Sequence, residues 1–420
     1  MGKLFYILFV KLYPLGARIA ALLNNKAKLW VDGRKNIFTT IQQKLAGDKS
    51  NRIWIHCSSL GEFEQGHPLI EALKKNYPAY SIVLTFFSPS GYEHEKDYKG
   101  ADHIFYMPVD STVNAQKFYD LVQPKLVVFV KYEFWYYYLN EAKKRNIPLL
   151  LVSGMFRKSQ PFFKWYGSFH REMLQCFTQL FVQTAAAQQL LQSIKINNAV
   201  VSGDTRFDRV MDIANHFISI PAIENFCAGK TVIVAGSTWL EDDEELDHYA
   251  NTHTEYRFII APHNIGEERI KECEWLYKNS IRYSAYSQQT LRDKQSTANT
   301  IIIDNIGMLK QLYAYATVCY VGGAFGGDGV HNVLEAAVYA KPVVFGPVYE
   351  KYAEAADLVE RGGAFTVVDA IELEEVLNEL LEDKETYNDA CIKAETYVQS
   401  KTGATQTVIK YIQEKRLLTS

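Results

Sequence analysis

"IWIHCSSLGEFEQGHPLIEALKKNYPAYSIVLTFF", residues 53–87, reads as strand, turn, helix and strand. Its ends, IWIHC (53–57) and SIVLTFF (81–87), are short β-rich apolar runs, and between them Leu69, Ile70 and Leu73 fall on one helical face. Unbroken apolar strands alternating with amphipathic helices build a parallel sheet covered on both sides. The turn after the first strand, Ser58 to Gly61, is polar and contains glycine, and such turns are where open α/β sheets keep their chemistry. On its far side stands Glu62, either a catalytic base or a charge complementing the first turn of a helix.

The pattern continues in LVVFVK (126–131), PLLLVS (148–153), QLFVQ (179–183) and AVVSG (199–203). A second series runs through KTVIVAGS (230–237), YRFIIAP (256–262), NTIIID (299–304), TVCYVGG (317–323), PVVFG (342–346) and AFTVV (364–368). The chain of 420 residues is therefore expected to hold two Rossmann-like α/β domains, 31–206 and 230–400, joined by a polar linker, 207–229, and facing a central cleft. A final helical segment, about 372–415, is long enough to return to the first domain, with 401–420 the part that packs back.

Charge is unevenly spread. Residues 1–52 hold ten Lys and Arg against two Asp, while the whole chain carries a net charge of −3, so the remainder is at −11. A basic start on an acidic body predicts an anionic partner. The apolar residues interleaved with these charges, LFYILFV (4–10) and LYPLGARIAALL (12–23), favour a membrane surface over nucleic acid. The uninterrupted run is shorter than a simple spanning helix needs, and residues 1–30 are expected to form a shallowly inserted, membrane-associated helix. A core helix and a single-span anchor are the other two readings of that segment. The six cysteines are scattered without C-x-x-C spacing, and the ten histidines contain no H-E-x-x-H. A reducing compartment is implied, and no metal or cofactor is expected.

The stretch YVGGAFGGDGVHNVLEAAVYAKPVVFGP (320–347) shows a strand, a glycine-rich loop and a helix start near His331 and Asn332. Glycines let backbone approach a phosphate, and a helix N-terminus offers free N–H groups. Asn332 and Glu335 are either a capping pair or ligands, the glutamate for sugar hydroxyls. There is no G-x-G-x-x-G fingerprint and no P-loop. The run EDDEE (241–245) reads as the acidic first turn of a helix, and Ser237 and Thr238 before it could present hydroxyls and free N–H groups to a phosphate or carboxylate.

CSSLGE (57–62), KYEFW (131–135), GDTRFD (203–208), AGST (235–238), APHNIGEER (261–269), NIGMLKQLYAYA (305–316) and GGDGVHNVLEAA (326–337) occur in that order. Together they resemble the 3-deoxy-D-manno-octulosonic acid (Kdo) transferases, GT-B glycosyltransferases of lipopolysaccharide assembly, over nearly the whole chain. The resemblance implies inverting, metal-independent transfer of Kdo from CMP-Kdo to a lipid A precursor at the cytoplasmic face of the bacterial inner membrane. It makes Glu62 the proton acceptor, since an attacking hydroxyl must lose its proton. It links Glu133 and Arg206 to transition-state stabilisation, with Lys131 standing where an acidic residue is common and Arg206 where lysine is usual. Arg206 read alone is equally an ion-pair partner of Asp204 or Asp208. The nucleotide is expected on Pro262, His263, Gly307, Met308, Leu309, Asn332, Val333, Leu334 and Glu335, with proline at 262 replacing the family's frequent arginine. Two other readings fit the same architecture: another GT-B enzyme such as a non-hydrolysing 2-epimerase, and a non-catalytic membrane-bound protein that binds nucleotide sugars.

Overall fold

The structure, a computed structural model, describes residues 2–132, 134–290, 297–327 and 329–419. Its contacts divide the chain into two units, Met1–Arg209 with Thr402–Ser420, and Val210–Lys401.

The first unit is built on seven strands: β1 (Asn51–Cys57), β2 (Tyr80–Phe86), β3 (His103–Tyr106), β4 (Pro124–Val130), β5 (Leu149–Gly154), β6 (Gln179–Val182) and β7 (Ala199–Val201). They lie in the order β3-β2-β1-β4-β5-β6-β7, every pairing parallel. The apolar runs are unbroken because alternate residues enter two different cores. Trp54, Val83, Val127 and Leu149 pack on one face. Ile53, Ile55, Ile82, Leu84, Val128 and Leu150 pack on the other. Each such side chain contributes roughly 1.5–3 kcal/mol on burial. Four helices matter most here: α1 (Gly2–Ala20), α2 (Asn25–Asp32), α3 (Ile37–Leu45) and α4 (Leu60–Asn76).

The second unit repeats the plan with β8 (Val232–Thr238), β9 (Arg257–Pro262), β10 (Ser280–Arg282), β11 (Thr300–Ile302), β12 (Val318–Val321), β13 (Val343–Phe345) and β14 (Ala364–Thr366). Their order is β10-β11-β9-β8-β12-β13-β14, again parallel. In each sheet the chain winds one way and then the other. The reversals fall between β1 and β4 and between β8 and β12. Doubly wound sheets bind ligands at the carboxyl ends of strands beside such a reversal.

Two strands, β3 and β10, are not signalled as apolar runs; both are short, and β10 forms one edge of its sheet with three half-buried residues. The expected continuous final helix is three: Ala370–Glu382, Lys384–Ser400 and Ala404–Glu414. Asp383 caps the second through the amide of Glu385, and Gly403 at φ +105° separates the last. That last helix buries Val408, Ile409 and Ile412 in the first unit's core, and Asp208 holds its start by accepting from the amides of Gly403 (2.6 Å) and Thr405 (2.7 Å).

Helix α1 has two characters. Val10 is buried, and Tyr6 and Tyr13 pack on aromatic rings of Tyr136, Phe169, Trp30 and Phe87. Leu4, Phe5, Leu8, Leu12 and Ile19 are all more than half exposed, from 51% to 70%. No helix among the described residues is long and apolar enough to cross a membrane.

Candidate functional site

The turn after β1 lies beside the reversal of the first sheet. Ser59, in extended conformation, starts α4, and Glu62 closes a capping box. Its Oε2 accepts from the amides of Ser58 (2.5 Å) and Ser59 (3.1 Å), and the residue is buried at 9% exposure. Glu62 therefore does serve the helix start, and the same bonds fix the direction of its carboxylate. The Tyr132 phenol is raised above its usual range by burial, and the Glu62 charge adds to that shift while Arg157 opposes it. Glu62 thus lies within electrostatic reach of the segment that follows β4.

Glu133, in that segment, lies outside the described residues. Its neighbours are well placed. Lys131 takes a left-handed backbone (φ +65°) with its amide on the Val152 carbonyl (2.9 Å). The Trp135 indole packs at a tilt on Phe87 and donates to Nε2 of His56 (3.2 Å). Nδ1 of His56 consequently carries its proton toward Thr85, 2.9 Å from its hydroxyl. A histidine within β1 thereby pins the aromatic segment after β4.

Arg206 pairs with Asp204, not with Asp208: Nη2 and Nε lie 2.8 and 2.9 Å from Asp204 Oδ2. Asp204 also accepts from Gln65 Nε2 (3.4 Å), one turn beyond Glu62, and the Thr205 hydroxyl donates to the Gln65 carbonyl (2.5 Å). These bonds draw Arg206 and the Glu62 helix to the same end of the sheet.

In the second unit the strand ends beside the other reversal come together around a cavity of about 480 Å³. Ser237, Pro262, His263, Gly307 and Leu309 all line it, while Met308 precedes the short helix Leu309–Leu312. Ser237 sits at φ +56°, where the register between β8 and β9 shifts. Thr238 is fully buried and offers its carbonyl to the His263 amide (2.9 Å), so of the two hydroxyl residues only Ser237 faces the cavity. Asp242 is a brace. It accepts from the amides of Trp239 (2.9 Å) and Gly323 (2.8 Å) and from the Tyr320 hydroxyl (2.9 Å), tying the end of β8 to the end of β12. Burial raises its carboxyl above the usual range, and those three donors oppose the rise. Gly322 makes the approach possible: a Cβ there would stand 2.5 Å from the Ser237 carbonyl oxygen.

The helix expected from His331–Asn332 begins later and is brief, Leu334–Ala337. A single turn accumulates little dipole, so the anion-binding argument rests on loop amides and not on a helix end. Asn332 accepts from the Leu334 amide (3.3 Å) and donates to Glu335 (3.1 Å), while Val333 and Leu334 are fully buried. This segment reaches the cavity through rings. His331 stacks on His263 (centroids 4.5 Å apart), which stacks on Trp239 (4.7 Å), and the Trp239 indole donates to His331 Nε2 (3.1 Å). Trp239, His56, Trp135 and Gln65 carried no signal in the sequence, because their partners lie dozens of residues away.

A family model described as 3-deoxy-D-manno-octulosonic-acid transferase (kdotransferase) matches residues 33–209. A bifunctional glycosyltransferase/methyltransferase of Fusobacterium nucleatum is 28% identical over 84% of this chain and 57% of its own length. The 3-deoxy-D-manno-octulosonic acid transferase of Rickettsia felis is 28% identical over 72% of this chain and 66% of its own. The chain thus spans somewhat under two thirds of each of these two relatives. Among solved structures, the UDP-GlcNAc 2-epimerase of Neisseria meningitidis superposes with a TM-score of 0.61 at 15% identity, over 86% of this chain and all of that one. That likeness shows the fold alone: two Rossmann-like α/β units. The likeness to the Kdo transferase family thus covers the region that carries the Glu62 turn and the Arg206 segment.

Proposed function

We propose that the protein is a glycosyltransferase that moves Kdo from CMP-Kdo to a hydroxyl of a lipid A precursor, inverting the anomeric centre. The observation that carries this reading is the Glu62 carboxylate, oriented by two amides at the sheet reversal of a unit matched by the Kdo transferase model. In the reaction the acceptor hydroxyl passes its proton to Glu62 as its oxygen bonds to the anomeric carbon. The bond from that carbon to the phosphate oxygen breaks, and CMP leaves with the electron pair. Positioned carboxylates of this kind contribute roughly 10²–10⁴-fold. In the second unit, charge on the departing phosphate is met by preorganised donors, for which the amides around Ser237 and in the loop 324–327 are the supply. Pro262, His263, Gly307 and Leu309 hold the nucleotide, in a cavity of a size usual for small-molecule sites.

The apolar stripe of α1 and the basic character of residues 1–52 support work at an anionic membrane surface, with α1 lying in the interface. The cytoplasmic face of the inner membrane, where CMP-Kdo and the lipid meet, is the location this reading requires. The test is to incubate detergent-solubilised protein with CMP-Kdo and a tetraacylated lipid A precursor and to follow lipid mass. A gain of one or more Kdo masses supports the reading. No gain from a protein that still binds CMP overturns it.

A further inference from the structure

We infer that the first unit carries a built pocket for a phosphate group of the lipid acceptor, formed by Arg18, Arg34, Lys35 and Lys117, with an adjoining groove for an acyl chain. The inference rests on the lipid-acceptor reading above and adds where and how that lipid is held.

The pocket encloses about 530 Å³ beneath α1, and Asn36 and Asn114 line it together with the four cations. Its charge is scarcely compensated. Lys35 meets Asp32 at 2.7 Å on the exposed rim. Lys117 lies over the Phe38 ring, and Arg18, an exposed residue of α1, lines the pocket mouth. Arg34 is the most telling. Its Nε, Nη1 and Nη2 donate to the carbonyls of Met107 (3.0 Å), Trp30 (3.0 Å) and Phe87 (2.7 Å). The guanidinium lies over the rings of Trp30, Phe87 and Tyr106 at 4.1, 4.8 and 5.0 Å. No carboxylate contacts it among the described residues, and burial lowers its pKa to about 9. A guanidinium held by carbonyls and ring faces, with its charge unmatched, is a site prepared for an anion.

The occupant is amphiphilic because the pocket is. A second cavity, about 570 Å³, shares Trp30 as a wall and is lined by Tyr13, Gly16, Ala17, Ala20 and Phe87. Small residues on α1 make its floor, and the exposed apolar stripe of the same helix continues it outward. Phosphate on one side of Trp30 and acyl chain on the other match a phosphorylated glycolipid. The pocket also connects to the proposed base. Arg34 holds the Phe87 carbonyl, the amides of Phe87 and Ser88 donate to the Ser58 carbonyl (3.2 and 2.7 Å), and the Ser58 amide holds Glu62.

The test compares Arg18→Gln/Lys117→Gln with a control of equal charge loss, Lys28→Gln/Lys49→Gln. Both pairs are exposed, so folding is preserved, and circular dichroism checks it. Binding is measured in detergent micelles with a tetraacylated disaccharide bisphosphate and with its dephosphorylated form. We expect the first variant to bind the bisphosphate at least about tenfold more weakly, the scale of a charge-assisted hydrogen bond lost from a partly enclosed site. Binding of the dephosphorylated lipid and of CMP stays unchanged, and the control matches wild type. The inference is overturned by equal affinity for the two lipids, or by equal loss in both variants. It is also overturned if inorganic phosphate or phosphatidylglycerol vesicles compete as well as the glycolipid does, since the site is then not one for the acceptor. If wild type binds as expected but transfers no Kdo, the transfer reading fails and the pocket stands. If transfer proceeds and the lipid KM of the first variant equals that of wild type, the pocket alone fails.

Discussion

Glu62 performs a structural task in plain view, and substituting it in two ways separates that task from catalysis. Both recorded amide bonds, from Ser58 and Ser59, fall on Oε2. Glutamine at this position keeps an oxygen to accept them, and capping boxes use glutamine as readily as glutamate. Glu62→Gln should thus sacrifice only the charge near the start of α4, about 0.3–1 kcal/mol. Glu62→Ala removes the acceptor too and leaves two amides at a buried turn without it, about 1–3 kcal/mol more. Loss of a general base lowers turnover roughly 10²–10⁴-fold, equivalent to about 3–5 kcal/mol of barrier, in both variants alike. Initial rates of Kdo transfer at saturating CMP-Kdo, measured beside thermal unfolding, read the two effects independently. The expected pattern is a near-native melting point with collapsed turnover for Gln, and collapsed turnover with a lower melting point for Ala. Glu64→Gln, two residues along and half-buried, should leave turnover within a few-fold of wild type. Full activity in Glu62→Gln refutes the base and leaves a cap; a melting point as low as that of the alanine variant refutes the separation of roles.

Three further outcomes follow from the geometry. Gly322→Ala would drive a Cβ to 2.5 Å from the Ser237 carbonyl oxygen and 2.7 Å from Thr238 Cα, both backbone, so β8 and β12 must part. Calorimetric titration should show CMP binding weakened at least about tenfold, with the 1–3 kcal/mol destabilisation typical of overpacking; unchanged binding sinks the idea. Trp239→Phe retains a ring for His263 to stack on, whereas Trp239→Ala loses the platform, worth about 0.5–1.5 kcal/mol. CMP affinity should therefore fall about two- to tenfold further in Ala than in Phe, and equal affinities would show that the stack holds no nucleotide. Asp110, buried beneath α1 where it accepts from the Tyr6 hydroxyl and the amides of Tyr137 and Tyr138, has its carboxyl pushed from 3.8 up to about 6 by burial. Because the folded value is the higher one, its contribution is complete below about pH 4 and is lost as pH climbs through 6, up to about 3 kcal/mol in all. The stability gap between wild type and Asp110→Asn should narrow by that amount from pH 4 to pH 7, and parallel pH profiles would contradict it.

What the sequence made legible is what period and composition encode. Strands β1, β2, β4 and β5 announce themselves because each is buried on both faces, and their apolar runs hold few polar residues, such as His56 and Thr85, which are themselves buried. Strand β10 is three half-buried residues at an edge, so no run exists to be seen. The stretch HNVLEAA has the capping residues and apolar spacing of a proper helix start. It stops after one turn because Ala340 turns left-handed (φ +55°) and Pro342 leads into β13, which no count of apolar residues reveals. Glu62 was ambiguous for a different reason. Ser-x-x-Glu is the signature of a capping box, and a base mounted on a strand-to-helix turn has the same spacing. Position does not separate the roles; only the count of bonds on each oxygen and the loss on substitution do.

The strained residues carry the remaining lesson. Lys131 after β4, Ser153 within β5 and Ser237 within β8 all hold positive φ without being glycine, and Gly323 after β12 joins them at +95°. Three of the four follow or end strands that flank a sheet reversal, and the register shifts at Ser153 and Ser237. Each non-glycine case costs about 1–3 kcal/mol, which natural chains sustain where surrounding structure fixes the conformation. Here it is fixed: the Lys131 amide is held by Val152, the Ser153 hydroxyl by Thr205, and the end of β8 by Asp242. A search for glycine turns finds Gly322 and Gly323 but does not show that Ser237 is left-handed. Yet it is the left-handed turn at Ser237, beside the Asp242 brace, that brings the end of β8 to the cavity of the second unit. The device that shapes this cavity is thus a backbone conformation the residue type opposes, maintained by a carboxylate whose own charge burial disfavours. Asp242→Asn removes the charge but leaves either both amides, which share Oδ2, or the Tyr320 hydroxyl facing a donor in place of an acceptor. It should therefore loosen β8 from β12 and weaken CMP together, with amide exchange at Gly323 rising in step. CMP affinity lost without that rise would mean that Asp242 acts on the ligand and not on the fold.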